Sequence, residues 1–192
     1  MLKSNRLFVL AMIITISGRP GSGKSTLAKE LAKKLGYRRY SGGDMRGRIA
    51  MKMGITIDKL NEIGMKEDWT DKEVDKQIEE IGKSEDNFVF DSWLAWHFIP
   101  NSVKIFLDVD LKVGAQRVFA NPRPDEERKN SVEEVYDMIY ERMEQTRARF
   151  KKWYGVDFLD VKNYDFVLDT TNLTIEQSIE KVLEFVKKKT SS

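Results

Sequence analysis

Two rhythms of apolar residues divide the chain. Short β-branched or aromatic runs stand at "MIITIS" (12–17), "YRRYS" (37–41), "NFVFD" (87–91), "SVKIFLDVD" (102–110) and "YDFVLDTT" (164–171). Runs of this kind predict buried strands of a parallel sheet. Between them the apolar spacing turns helical. In "KSTLAKELAKKLG" the residues Leu27, Ala28, Leu31, Ala32 and Leu35 share one face, and Gly36 stands where a helix closes. From Asp44 to Lys83 the pattern predicts three short amphipathic helices, with Thr56 and Thr70 as N-caps. "LKVGAQRVFA", Val132–Tyr154 and "TIEQSIEKVLEFVKKK" are further helices, while "NPRPDEERKNS" (121–131), with two prolines and many charges, is a loop or lid. Strands alternating with helices predict an α/β fold: a five-stranded parallel sheet with helices on both faces.

The 192 residues suit one domain, with residues 1–11 as an N-terminal extension, 44–83 as a helical insert and 120–131 as the lid. The apolar run Leu7–Ile16 could pass for a signal peptide, but it feeds directly into a phosphate-binding motif that cleavage would destroy. A cytoplasmic location is therefore expected. Net charge is +2, which gives no reason to expect a nucleic-acid or membrane surface. The absence of cysteine excludes disulfides and thiolate chemistry, and a single histidine, His97, excludes a multi-histidine metal centre.

The chemistry concentrates in "GRPGSGKST" (18–26), which fits G-x-x-x-x-G-K-[ST] between a strand and a helix. This makes the sheet a P-loop NTPase fold. Gly18, Arg19, Pro20, Gly21, Ser22, Gly23, Lys24, Ser25 and Thr26 are the candidate ATP-binding residues. Backbone N–H groups at the helix start point at phosphates, Lys24 reaches the β- and γ-phosphates, and Ser25 ligates Mg²⁺. Asp91, ending the third strand, is the second candidate for the metal, or touches the acceptor. The segment "YSGGDMRGR" at the C-terminal end of the second strand offers Ser41, Gly43, Asp44 and Arg46 to a second substrate. Arg142 and Arg149 are seven apart and share a helix face. With Arg123 in the lid they are the candidate catalytic cations beside Lys24, because a planar guanidinium matches phosphate oxygens. Trp93 and Trp96 either stack on a base or pack the core; His97, beside Trp96, reads as packing.

Taken together, "GRPGSGKSTLAKELAKKLG", "SGGD", "TDKEVDK", "DSWLAW", "ERMEQTRARFKKWYGVD" and "YDFVLDTT" resemble the cytidylate kinases, in particular the short archaeal type, from Met12 to about Lys188. The resemblance implies ATP-dependent phosphorylation of CMP or dCMP with Mg²⁺. It also implies that the insert binds the nucleoside monophosphate, that Arg142 and Arg149 are the lid-helix arginines, and that Asp169 and Thr170 lie near the adenine. Trp93 stands where the family usually has arginine, Gln145 where it has a middle arginine, and Arg46 is the expected replacement for an arginine whose spacing lands on Gly47. Two other readings stay open: a kinase for UMP, AMP or a small metabolite, and a nucleotide-binding regulator without transfer activity. A monomer is expected.

Overall fold

The structure is a computed structural model, and it describes residues 12–122 and 128–190. The five predicted strands form one sheet: β1 (Ile13–Gly18), β2 (Arg38–Ser41), β3 (Phe88–Asp91), β4 (Val103–Asp108) and β5 (Phe166–Asp169). Every pairing is parallel, in the order β2-β3-β1-β4-β5. Eight helices are interspersed among the described residues: α1 (Lys24–Leu35), α2 (Gly42–Met53), α3 (Ile57–Lys66), α4 (Trp69–Ser84), α5 (Ala95–Phe98), α6 (Leu111–Ala120), α7 (Val132–Tyr154) and α8 (Ile175–Thr190).

Strand alternation explains why both sheet faces are covered. Ile14, Ile16, Val89, Ile105, Leu107 and Leu168 project to one side and pack with α1 and α8 through Leu27, Leu31, Ile179, Val182 and Val186. Phe88 and Phe90 project to the other and meet Val74 and Ile78 of α4 with Ala95 of α5. Register sets the functional edge. Asp91 pairs with Ile16 of β1 and with Ser41 of β2, so the C-terminal ends of three strands open onto one crevice.

Three local expectations change. The first insert helix begins at Gly42 rather than Asp44, because Ser41 is its N-cap and accepts from the Asp44 N–H at 3.2 Å. The two glycines that read as loop are helical; a Cβ on Gly42 would sit 2.7 Å from Ser92 Oγ, so glycine lets α2 start against the end of β3. Thr56 caps α3 as expected, but the N-cap of α4 is Asp68 and the helix starts at Trp69, which places Thr70 inside the first turn, fully buried. Finally, α5 forms within "DSWLAWHFIP", where aromatic density hid the helical spacing. Among the described residues no helix is long and apolar enough to cross a membrane.

Candidate active site

The donor wall is built by β1, the loop after it, and α1. The first intrahelical bond of α1 runs from the Leu27 N–H to the Gly23 carbonyl at 2.9 Å. The N–H groups of the first turn have no place in the helix's own ladder and point toward the loop, where a helix start favours an anion. Gly21, at φ 75°, packs against α6 so closely that a Cβ would stand 2.3 Å from the Gly114 carbonyl oxygen. Arg117 of α6 fastens the same loop: it donates to the carbonyls of Gly21 (3.4 Å), Thr170 (2.8 Å) and Thr171 (3.1 Å). Thr170 in turn donates to the Ser22 carbonyl at 3.2 Å, so the end of β5 does border the phosphate loop.

Asp91 is buried at the floor of the crevice and is held on both oxygens. Ser25 and Ser41 donate to Oδ1 at 3.3 and 3.2 Å, and Arg39 donates from Nε to Oδ2 at 2.9 Å. Ser25 Oγ and the Asp91 carboxylate are thus adjacent hard oxygen donors of the kind Mg²⁺ takes, and Mg²⁺ needs only one or two such groups when phosphates supply the rest. Arg39 was not singled out by the sequence, since a charged residue in a short edge strand usually faces solvent.

The opposite wall comes from α2, α3, α4 and α7. Arg46 donates to Asn61 Oδ1 (2.9 Å), to the carbonyls of Thr70 (3.1 Å) and Leu60 (3.3 Å), and to Asp71 Oδ1 (3.0 Å). Arg149, only 3% exposed, stands with Nε 2.7 Å from the other Asp71 oxygen, in ion-pair contact without hydrogen-bond alignment. Its Nη1 is buried with no hydrogen-bond partner among the described residues. Two guanidiniums share one carboxylate, so the wall carries an excess of positive charge. Burial lowers the Arg46 pKa to about 10; Asp71 offsets the effect and Arg149 adds to it. Arg46 stays protonated at neutral pH, and a dianionic ligand would relieve the crowding.

Gly64 makes this wall possible. A Cβ there would lie 2.7 Å from Thr70 Oγ1 and 3.2 Å from both Arg149 Cδ and Arg46 Nη2. We expect Gly64→Ala to shift both arginines and to cost about 1–3 kcal/mol of stability by overpacking, with a raised KM for the acceptor. Urea unfolding and initial-rate kinetics check this; unchanged values for both would show that the wall yields freely. A glycine inside a helical pattern was the available sequence signal.

The two walls enclose a cleft of about 290 Å³. Pro20, Gly21, Gly23, Lys24, Ser25, Thr26, Gly43, Arg46, Asp91, Trp93, Arg142 and Arg149 of the expected site residues line it. Arg142 sits one α7 face with Arg149 and pairs with Asp58 of α3 at 3.1 Å. Asp71, Asn61 and Asp75 also line the cleft, although sequence reasoning did not select them individually. Arg123 lies outside the described residues, as do 124–127 of the lid and the 1–11 extension.

Several expected residues support the cleft from behind instead. Gly18, Arg19 and Ser22 do not line it: Arg19 pairs with Asp108 at 2.6 Å, Ser22 is buried, and the Gly18 carbonyl accepts from Trp93 Nε1 at 2.8 Å. Ser41 is a cap and a donor to Asp91, not a ligand group at the cleft surface. The Asp44 carboxylate is exposed and pairs with Arg39 at 3.4 Å, away from the lining. Trp96 is 7% exposed, donates to the Trp93 carbonyl at 3.1 Å and packs with Phe158 and Met143, so it is core. Trp93 stacks on Phe158 with ring centroids 5.0 Å apart, and Lys24 Nζ stands 5.8 Å from its ring centre. Trp93 thus lines the cleft and at the same time props Lys24 and the Gly18 carbonyl. His97 lies among the rings of Trp96, Phe98 and Tyr154, as packing, and burial lowers its pKa.

Comparison with known proteins agrees with this arrangement. The sequence profile of the Cytidylate kinase-like family matches residues 13–172. The chain is 35% identical over 177 residues to a cytidylate kinase of Saccharolobus islandicus (strain L.S.2.15), covering 91% of this chain and 90% of that protein. It is 37% identical over 165 residues to a cytidylate kinase of Natronomonas pharaonis, covering 85% and 83%. A crystal structure of shikimate kinase from Bacteroides thetaiotaomicron superposes with a TM-score of 0.65 at 18% identity, covering 93% of this chain and 99% of that one, a likeness of fold. A P-loop facing a wall of paired arginines, in a chain matched over most of its length, places this protein in the cytidylate kinase-like family.

Proposed function

We propose that the protein transfers the γ-phosphate of ATP to CMP or dCMP, giving ADP and CDP or dCDP. The observation that carries this reading is the second cationic wall, Arg46 and Arg149 around Asp71, across the cleft from Lys24. A phosphate loop that only hydrolyses its nucleotide has no use for a second buried anion site.

A phosphate oxygen of the acceptor attacks the γ-phosphorus in line. The bond to the β,γ-bridging oxygen breaks, ADP leaves, and no covalent enzyme intermediate forms. Arg46 and Arg149 hold the acceptor phosphate, Lys24 follows the charge on the transferring group, and Arg142 reaches it from α7. Arg123, by its place in the lid sequence, supplies a further cation, and residues 120–131 and 44–83 close over the substrates to exclude water. Mg²⁺ supplies neutralisation of the ATP phosphates, with Ser25 and Asp91 as the residues that hold it. One chain supplies both walls, which supports a monomer; we place it in the cytoplasm, where its substrates are.

An ADP-release assay across CMP, dCMP, UMP, AMP and shikimate tests the assignment. CMP and dCMP should exceed the others in kcat/KM by at least about tenfold. Turnover with both at the level of ATP alone would remove the cytidylate reading.

A further inference from the structure

One carboxyl in the cleft is not used by phosphoryl transfer. Asp75 lies one helical turn beyond Asp71 on α4 and lines the cleft between Val74 and Ile78, opposite Phe150. Val74, Ile78 and Phe150 are apolar lining residues of the same cleft as Arg46 and Arg149, so Asp75 stands where a planar base could lie against apolar side chains while its phosphate meets the arginines. Tyr154 of α7 donates its hydroxyl to Asp75 Oδ2. That bond marks Oδ2 as the acceptor oxygen and leaves Oδ1 as the place for a proton.

On the cytidylate reading, we propose that Asp75 recognises the acceptor cytosine in its neutral form, with Oδ1–H donating to N3 and Oδ2 accepting from the N4 amine. Oδ2 has two lone pairs, so it serves Tyr154 and the amine together. The pattern matches cytosine, which offers a donor at N4 beside an acceptor at N3. Uracil reverses both, setting acceptor against acceptor at Oδ2 and donor against donor at Oδ1. An ionised Asp75 would instead face the N3 lone pair with negative charge.

The surroundings favour the neutral form at working pH. Burial is the largest influence and raises the Asp75 pKa to about 7. Asp71 and Glu79 on α4 push the same way, while the Tyr154 hydroxyl from α7 and the Arg46 cation from α2 oppose it. Arg149 on α7 stands 2.7 Å from the Asp71 carboxylate that it shares with Arg46, and His97 on α5 stands behind Tyr154 with ring centres 6.2 Å apart. The raised pKa means that the competent form is present below about 7 and is lost as pH rises through that value.

The test is the KM for CMP above about pH 7, where the 5′-phosphate, with a second pKa of about 6, is already dianionic. KM for CMP should rise by about tenfold or more between about pH 7 and about pH 9, while KM for ATP changes little. Asp75→Asn carries the same donor–acceptor pair at every pH, so its KM for CMP should not vary over this range. Tyr154→Phe removes the bond that fixes the proton on Oδ1 and should narrow the preference for CMP over UMP. Good CMP turnover with a KM that is flat in the wild type, or equally pH-dependent in Asp75→Asn, overturns the proposal and leaves the kinase assignment standing. Absence of CMP turnover at every pH removes the assignment itself.

Discussion

Replacing Lys24 with alanine should lower kcat by at least about a hundredfold, with circular dichroism and the thermal midpoint close to wild type. The side chain starts in the first turn of α1, lines the cleft, and reaches toward the Trp93 ring at 5.8 Å. A cation–π contact of this kind at a partly solvated site contributes about 0.5–1 kcal/mol, so its loss should barely disturb folding. The backbone N–H groups of the loop do not change either, and ATP should still bind, with KM raised less than kcat is lowered. What disappears is the ammonium that follows negative charge as the γ-phosphoryl group moves between two oxygens. That interaction strengthens in the transition state, so its loss appears in kcat. Steady-state kinetics with both substrates saturating check the prediction. A folded Lys24→Ala protein with near wild-type kcat would mean that this phosphate loop does not perform the transfer.

The donor half of this site is legible in the sequence because its parts are contiguous. A strand, nine loop residues and a helix start fix one another locally, and the spacing of Gly18, Gly23, Lys24 and Ser25 reports the geometry directly. The acceptor half is not contiguous. Arg46, Asn61, Asp71 and Arg149 come from four helices, and α-helical periodicity reports only which residues share a face, not which face meets which. Arg142 and Arg149 could be paired from spacing alone; their partners Asp58 and Asp71 could not. Asp71 was visible only as part of "TDKEVDK", one of the segments that carry the family resemblance, and two aspartates four apart on a helix do not by themselves tell a buried pair from a solvated face. Trp96 misled for a related reason. An aromatic cluster after a strand has the same composition whether it faces a ligand or Phe158, and only the fold decides. Arg117 escaped notice because a cation late in a helix usually completes the dipole, whereas here it gathers carbonyls from the phosphate loop and the β5 turn.

Arg149→Ala should behave differently from Lys24→Ala, and the contrast separates the two walls. Here kcat should fall by at least about a hundredfold as well, because a guanidinium aimed at phosphoryl oxygens is worth on the order of a thousandfold or more. But Arg149 is 3% exposed and in ion-pair contact with the buried Asp71. Removing one member of a buried pair costs up to about 3–5 kcal/mol. The loss should be toward the lower end of that range, since Arg46 still donates to Asp71 at 3.0 Å. Urea unfolding should therefore show a clear drop in midpoint that Lys24→Ala does not show. Arg149→Lys restores charge but not the planar fork, and its Nζ cannot serve Asp71 and a phosphate oxygen at fixed angles together. It should recover much of the stability and still lose more than about tenfold in kcat. A lysine variant with full turnover would reduce Arg149 to a charge; an alanine variant that folds and turns over normally would remove it from the reaction. If stability and kcat instead separate in the lysine variant, Arg149 both holds the insert to α7 through Asp71 and meets the acceptor phosphate through the Nη1 that has no hydrogen-bond partner among the described residues.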